Sequence, residues 1–112
     1  MATFVGVHNM LGTRTLHDLG DEEQKARFLK DCLNMGKINC FCLSEHEVGS
    51  DASNIRTVAT KTEGGWLLNG SKKWPGNGTF ADNLLIWAKN PLENNAIQCF
   101  VAEKGAPGLQ IK

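Results

Sequence analysis

The sequence predicts an α+β fold: a short helical N-terminal segment followed by an antiparallel β-sheet or partial barrel. Two patterns carry that expectation. From about Phe4 to Met35 the apolar residues recur at helical spacing, and past Gly36 they alternate with polar ones to the end. Turn signals at Glu63-Gly64-Gly65, Asn69-Gly70 and Ala106-Pro107-Gly108 then divide the second part into short strands. The expected division is a helical segment over residues 1–36 and a β-domain, incomplete at its end, over residues 37–112.

Within the helical part Gly20 is a break, after which Asp21 can cap a new helix and Gln24, three residues on, can complete a capping box. A helix from about Glu22 to Leu33 follows. Ala26, Leu29, Leu33 and, past its end, Ile38 fall near one face, with Glu22, Glu23, Lys25, Arg27 and Lys30 on the solvated remainder.

Strands are expected at Ile38 to Leu43, Thr57 to Lys61, Trp66 to Leu68, Ser71 to Trp74, Asn83 to Lys89 and Ile97 to Ala102, with another starting at Leu109. Glu63-Gly64-Gly65 and Asn69-Gly70 read as hairpin turns, so the strands are expected to form an antiparallel meander. A last strand without a successor leaves an open sheet edge. A continuation of the chain is expected to close the sheet and cover its apolar face.

At 112 residues, 41% hydrophobic and 21% charged, the chain has globular composition and room for one core. Twelve basic residues balance twelve acidic ones, which leaves no net field to draw in nucleic acid or an anionic membrane surface. No apolar run approaches the roughly 20 residues of a membrane span, and the N-terminus lacks the pattern of a signal peptide, so a soluble intracellular protein is expected. Cys40 and Cys42 are read as facing opposite ways along a strand, with Cys32 and Cys99 far off in sequence; buried free thiols are expected rather than disulfides. His8, His17 and His46 lack the paired spacing of a zinc site, so no metal is assigned.

Two segments carry the chemistry. Phe41 to Asp51 passes from a strand, with Phe41 and Leu43 on one face and Cys42 and Ser44 on the other, into a loop where Glu45 and Glu47 end the strand. Gly49 can adopt a backbone conformation closed to other residues, and Ser50 offers a hydroxyl beside free N–H groups. Such a loop is either a nest for a phosphate or carbonyl oxygen or a surface turn capped by Ser50 and Asp51. Lys72 to Gly78 delivers Trp74 at a strand end and then loses regularity at Pro75-Gly76, exposing an aromatic edge and backbone where a planar ring could dock. A core tryptophan is the plainer alternative, and Lys72-Lys73 reads as a solvated edge.

Taken jointly, the segments resemble the middle domain of the acyl-CoA dehydrogenase and oxidase family. The matching residues are Phe41, Leu43, Ser44, Glu45, Gly49, Ser50 and Asp51, followed by Trp66, Asn69, Gly70, Lys72 and Trp74. Phe80-Ala81-Asp82, Phe100-Val101 and Gly108 agree further, and Gly20 to Lys25 is similar to the last helices of the family's N-terminal domain. The resemblance implies an FAD site built mostly from strands. Phe41, Leu43 and Ser44 would meet the flavin ring through backbone groups and a hydroxyl, Gly49 and Ser50 would lie farther along the cofactor, Ser50 would also touch the acyl-CoA, and Trp74, Pro75 and Gly76 would line the ring near its redox-active nitrogen. The cofactor carries the redox chemistry while the protein orients it.

Two departures from the family pattern stand out. Pro75-Gly76 replaces the usual Ile-Thr, which removes a hydroxyl and is similar to plant peroxisomal short-chain acyl-CoA oxidases, whose following Asn and Phe-Ala-Asp also match Asn77 and Phe80-Ala81-Asp82. His46 replaces a proline and is read as a solvent-facing substitution. No glutamate here matches the family's catalytic base, which its C-terminal helical domain carries, so no catalytic residue is nominated. The chain alone is expected to be inactive and to bind FAD weakly. The remaining domains of a longer protein, an acyl-CoA substrate and a homo-oligomer are the implied partners, in the peroxisome or the mitochondrial matrix with a lean to the former. The competing expectation is a standalone β-sheet binding module without redox activity.

Overall fold

A computed structural model describes residues 2–111. Two helices lie on one face of a five-stranded sheet, as the α+β expectation requires. Helix α1 (residues 2–19) runs from Ala2–Val5 through a more widely wound turn, Gly6–Thr13, into Arg14–Leu19. Gly20 turns extended and ends it. Helix α2 (residues 22–33) starts on the anticipated capping box: the Gln24 N–H donates to Asp21 Oδ1 at 2.8 Å and the Asp21 N–H to Gln24 Oε1 at 3.0 Å.

The buried face of α2 is not the expected one. Leu29 and Cys32 are buried and Phe28 packs beside them, while Ala26 is exposed and Leu33 is 69% exposed. Residues 25–29 are wound wider than an α-helix, so a face drawn at strict 3.6-residue spacing drifts off the core.

The strands are β1 (Asn39–Cys42), β2 (Val58–Thr62), β3 (Gly65–Asn69), β4 (Asn83–Asn90) and β5 (Ala96–Glu103). Only β2–β3 and β4–β5 are antiparallel hairpins. β1 runs parallel to the first half of β4, from Asn39 opposite Asn83 to Cys42 opposite Ile86, and β2 meets the far end of β4 in parallel at Val58 opposite Lys89. Two short strands thus share one edge of β4 in tandem, and the expected meander is replaced by a mixed, open sheet rather than a barrel. Parallel pairing needs a long crossover, and here the β2–β3 hairpin is carried within it.

Two further expectations fail locally. Ser71 to Trp74 forms no strand, and Asn69-Gly70 is no hairpin, because Asn69 is still paired with Val58 as the last residue of β3. The glycine answers a packing need: a Cβ on Gly70 would stand 2.8 Å from Thr57 Cα. Residues 109–111 likewise pair with no strand, and Lys112 lies outside the described residues.

Each face of the sheet has its own apolar cluster. Leu16, Leu29, Cys32 and Leu85, with Phe28, Cys99 and Val101, form the core beneath the helices. Cys40, Cys42, Ala81 and Leu84, with Ile86, Ala102 and Leu109, form the other. Cys40 and Cys42 therefore share a face, as residues two apart on a strand must, and their sulfurs lie 3.4 Å apart. All four cysteines are free.

A buried polar network docks the helices on the sheet. The Asn39 N–H donates to His8 Nδ1 at 3.1 Å, which leaves His8 Nε2 to donate to the Cys32 carbonyl at 2.9 Å. The Asn39 side chain donates to Thr13 Oγ1 and accepts from the Asn83 amide, each at 3.2 Å. His8, scattered by sequence, is thus a fully enclosed strut between α1, α2 and β1.

Candidate functional site

The site begins where β1 runs out. After Cys42 the chain leaves the ladder at Leu43 and Ser44, then folds into a tight turn in which the Glu45 N–H donates to the Val48 carbonyl at 2.9 Å and the Val48 N–H to the Glu45 carbonyl at 3.3 Å. The segment after Gly70 returns alongside, and the Lys73 N–H donates to the Ser44 carbonyl at 2.8 Å. The two segments singled out by sequence are therefore neighbours, Leu43–Ser44 against Lys72–Trp74.

Glu45 and Lys72 hold that junction. Their side chains are only 6% and 9% exposed, and Lys72 Nζ lies 2.9 Å from Glu45 Oε2 while also donating to the Leu43 carbonyl at 3.0 Å. The Glu45 carboxylate further accepts the N–H groups of Arg56 and Thr57 and the Thr57 hydroxyl. Burial by itself raises the Glu45 pKa, but the Thr57 hydroxyl, the Arg56 N–H, the Lys72 ammonium and the Thr57 N–H outweigh it and bring it down to about 2. Gly70 closes the junction by its contact with Thr57. Lys72 is thus buried rather than a solvated edge, and Glu45 does more than end a strand. The signal for either lay in a partner far along the chain.

Beyond Lys73 the chain changes character. Trp74 is 83% exposed and sits at φ 61°, a left-handed conformation costly for a bulky side chain. The Lys73 ammonium lies 5.1 Å from the centre of its ring. Trp74 is not a core residue. Pro75 and Gly76 are half-buried, and a Cβ on Gly76 would fall 2.8 Å from Val7 Cγ2, so this glycine lets the loop lie against α1. Asn77 ties the loop down through its side-chain amide, which donates to the carbonyls of Phe4 and Asn39 at 3.3 and 3.2 Å, and Phe80 stacks on Phe4 at 5.7 Å.

The remaining expected residues divide by environment. Phe41 is half-buried with its ring against Trp87, 5.7 Å between centroids, which leaves its backbone rather than its side chain to meet a ligand. Leu43 and Ser44 are half-buried, Gly49 and Ser50 are exposed, and open space stands where a Cβ on Gly49 would point. Asp51 is occupied locally, accepting from Ser53 and Asn54. His46 is exposed, as read. Two clefts of about 230 and 240 Å³, one between α2 and the Asp82–Asn83 corner and one beside the Glu45–Val48 turn, are lined by none of the expected ligand residues. The candidate surface is open.

The acyl-CoA dehydrogenase middle-domain family model matches residues 40–112. The chain belongs to the acyl-CoA dehydrogenase family. It is 34% identical over 113 residues to an acyl-CoA dehydrogenase of Bacillus subtilis (strain 168), covering 99% of this chain and 30% of that protein. With the mitochondrial isobutyryl-CoA dehydrogenase of Dictyostelium discoideum the identity is 38% over 109 residues, covering 95% of this chain and 26% of the relative. The solved structure of PigA with FAD and proline superposes with a TM-score of 0.93 at 29% identity, covering 99% of this chain and 30% of that one. The chain thus spans less than a third of the length of these relatives. Both named sequence relatives are dehydrogenases, so the lean to a plant peroxisomal oxidase finds no support in them.

The residues of this acyl-CoA dehydrogenase middle domain fit a flavin. An exposed indole beside a cation, the Leu43–Ser44 backbone joined to Lys73, and an unobstructed Gly49–Ser50 corner offer a planar face, backbone groups and a hydroxyl. Among the described residues no helix is long and apolar enough to cross a membrane.

Proposed function

We propose that the chain is the flavin- and acyl-CoA-binding portion of an FAD-dependent enzyme that oxidises the α,β carbon–carbon bond of acyl-CoA thioesters. In this reading residues 1–36 are the end of an N-terminal helical domain and residues 37–112 the first part of the middle domain. The observation that carries it is the Lys73 N–H bond to the Ser44 carbonyl, which sets the exposed Trp74 next to the Leu43–Ser44 backbone. FAD, when bound, supplies the hydride acceptor.

This chain's residues bind and orient. Leu43, Ser44 and the Phe41 backbone support the ring, Trp74, Pro75 and Gly76 border it, Gly49 and Ser50 hold the cofactor farther along, and Ser50 also meets the acyl-CoA. No residue here is assigned as the proton-abstracting base, and the chain without the rest of the enzyme is inactive. The remaining domains and a second subunit complete the site. Dehydrogenase rather than oxidase chemistry, and the mitochondrial matrix rather than the peroxisome, follow the relatives. Reoxidation by an artificial electron acceptor faster than by dioxygen supports the first of these, and the reverse result restores the oxidase.

The site is tested in the full-length protein by Trp74→Ala. Loss of FAD on gel filtration, read from the ratio of flavin to protein absorbance, is the expected result. Unchanged flavin content removes Trp74 from the site.

A further inference from the structure

The Leu43–Ser44 and Lys72–Trp74 segments lie side by side without a strand ladder, and we infer that the buried Glu45–Lys72 pair replaces the ladder as a positioning device. It fixes the register at which the two backbones face a planar cofactor. The inference rests on the flavin reading of these segments.

Ser71 to Trp74 has no strand pairing, so the usual row of backbone bonds that keeps two chains in register is missing there. In its place a single ammonium is aimed at two targets, the Glu45 carboxylate at 2.9 Å and the Leu43 carbonyl at 3.0 Å, and the next residue's N–H reaches the Ser44 carbonyl at 2.8 Å. The carboxylate is held from behind by the Arg56 and Thr57 N–H groups and the Thr57 hydroxyl, so it cannot follow a sliding lysine. Anchoring therefore runs from Arg56 and Thr57, just before β2, through Glu45 to Lys72 and on to the backbone of both cofactor-facing segments. An apolar pair of equal volume would fill the space as well, since buried ion pairs add little net stability, but would carry no direction. Register is what the charges supply. Neither side chain is placed against the cofactor, and neither is a catalytic residue.

Two measurements separate positioning from mere stability. In the wild-type protein the amides of Lys73 and Thr57, joined through the pair, should exchange with deuterium as one cooperative unit, more slowly than the amide of exposed Ser71. A Lys73 amide exchanging as fast as that of Ser71 while Thr57 is protected overturns the inference without any variant. The double variant Glu45→Gln/Lys72→Met removes both charges together and leaves no buried ion alone. It should keep the wild-type urea midpoint, lose Lys73 protection by about tenfold and weaken FAD binding to the full-length protein by a similar factor. A folded double variant whose Lys73 exchange and FAD affinity both stay within about twofold of wild type also overturns it. Should the variant not fold, the wild-type exchange comparison decides. A wild-type protein that takes up no FAD refutes the flavin reading alone, and the exchange comparison still tests the register device.

Discussion

Glu45 and Trp74 stand at opposite ends of the same pairing of segments and are built on opposite terms. Around Glu45 several donor groups converge on one buried carboxylate, and the neighbouring Gly70 is pressed onto Thr57. Two residues past Lys72, a large aromatic stands almost free in solvent on a left-handed backbone. The first region is satisfied internally, whereas the second holds conformational strain at a side chain that, among the described residues, is overlain by the Lys73 ammonium and otherwise left largely to solvent. A rigid anchor directly beside a strained, exposed platform is how a protein presents a preorganised surface to a partner molecule. The contrast also says where mutations should hurt: stability at the anchor, ligand binding at the platform.

The sharpest way to break the contrast is to take one charge from the anchor. Lys72→Met leaves the Glu45 carboxylate buried without its cation, at a cost of about 3–5 kcal/mol. Chemical denaturation should show that loss, and the same treatment of Lys73, whose ammonium only overlies the Trp74 ring, should cost under about 1 kcal/mol. Equal losses at the two lysines would erase the distinction between the regions.

Acid is a second probe of the anchor. The Glu45 carboxyl has a folded pKa of about 2 against an ordinary value of 4.5. A depressed pKa means that the folded state binds the proton less readily than the unfolded one, so the stabilisation is complete above about pH 4.5 and is lost as pH falls toward 2. Its size is about 3 kcal/mol, because each tenfold difference in proton affinity between the folded and unfolded states is worth about 1.4 kcal/mol. Urea midpoints measured down through this window should fall for wild type and stay flatter for Glu45→Gln. Parallel curves would show that another carboxyl dominates.

How much of this contrast could be read beforehand depended on how far apart the partners lie. The Asp21–Gln24 capping box was legible because both residues sit within one turn, and the β2–β3 hairpin because Glu63-Gly64 closes it locally. The parallel union of β1 with β4 was not, since Cys40 meets Leu84 across a long stretch of chain whose intervening hairpin imitates a meander. Gly70 misled in a specific way. A glycine after asparagine signals a turn, but here it is demanded by contact with Thr57. Trp74 and the Gly49-Ser50 corner could be singled out by type and order alone, and the structure leaves all three residues exposed. Glu45 and Lys72 could not, because a buried charge is chosen for a partner that only the fold brings near. His8 is the same case, an isolated histidine whose two bonds reach to Cys32 and Asn39.

The loop offers a smaller and opposite effect at Gly76. Gly76→Ala would push a methyl group to 2.8 Å from Val7 Cγ2, forcing the loop off α1 by a few tenths of an ångström. The expected cost is about 1–2 kcal/mol, with loosening confined to residues 74–80 in hydrogen exchange and the Glu45 region unaffected. A loss that spreads to Thr57 would mean that loop and anchor form one unit.

The smallest effect runs in the favourable direction. Trp74 at φ 61° is held in a conformation that glycine adopts freely, and its exposed indole contributes little burial energy in this chain. Trp74→Gly should therefore raise stability by up to about 1 kcal/mol, less whatever glycine adds to the entropy of the unfolded chain. The thermal midpoint should stay level or rise while FAD retention in the full-length protein falls. That opposition is the signature of a residue kept for its ligand against the interest of the fold. If Trp74→Gly instead lowers the midpoint by as much as a core truncation does, the indole is packing against something in the full protein, and the exposed platform becomes an internal interface.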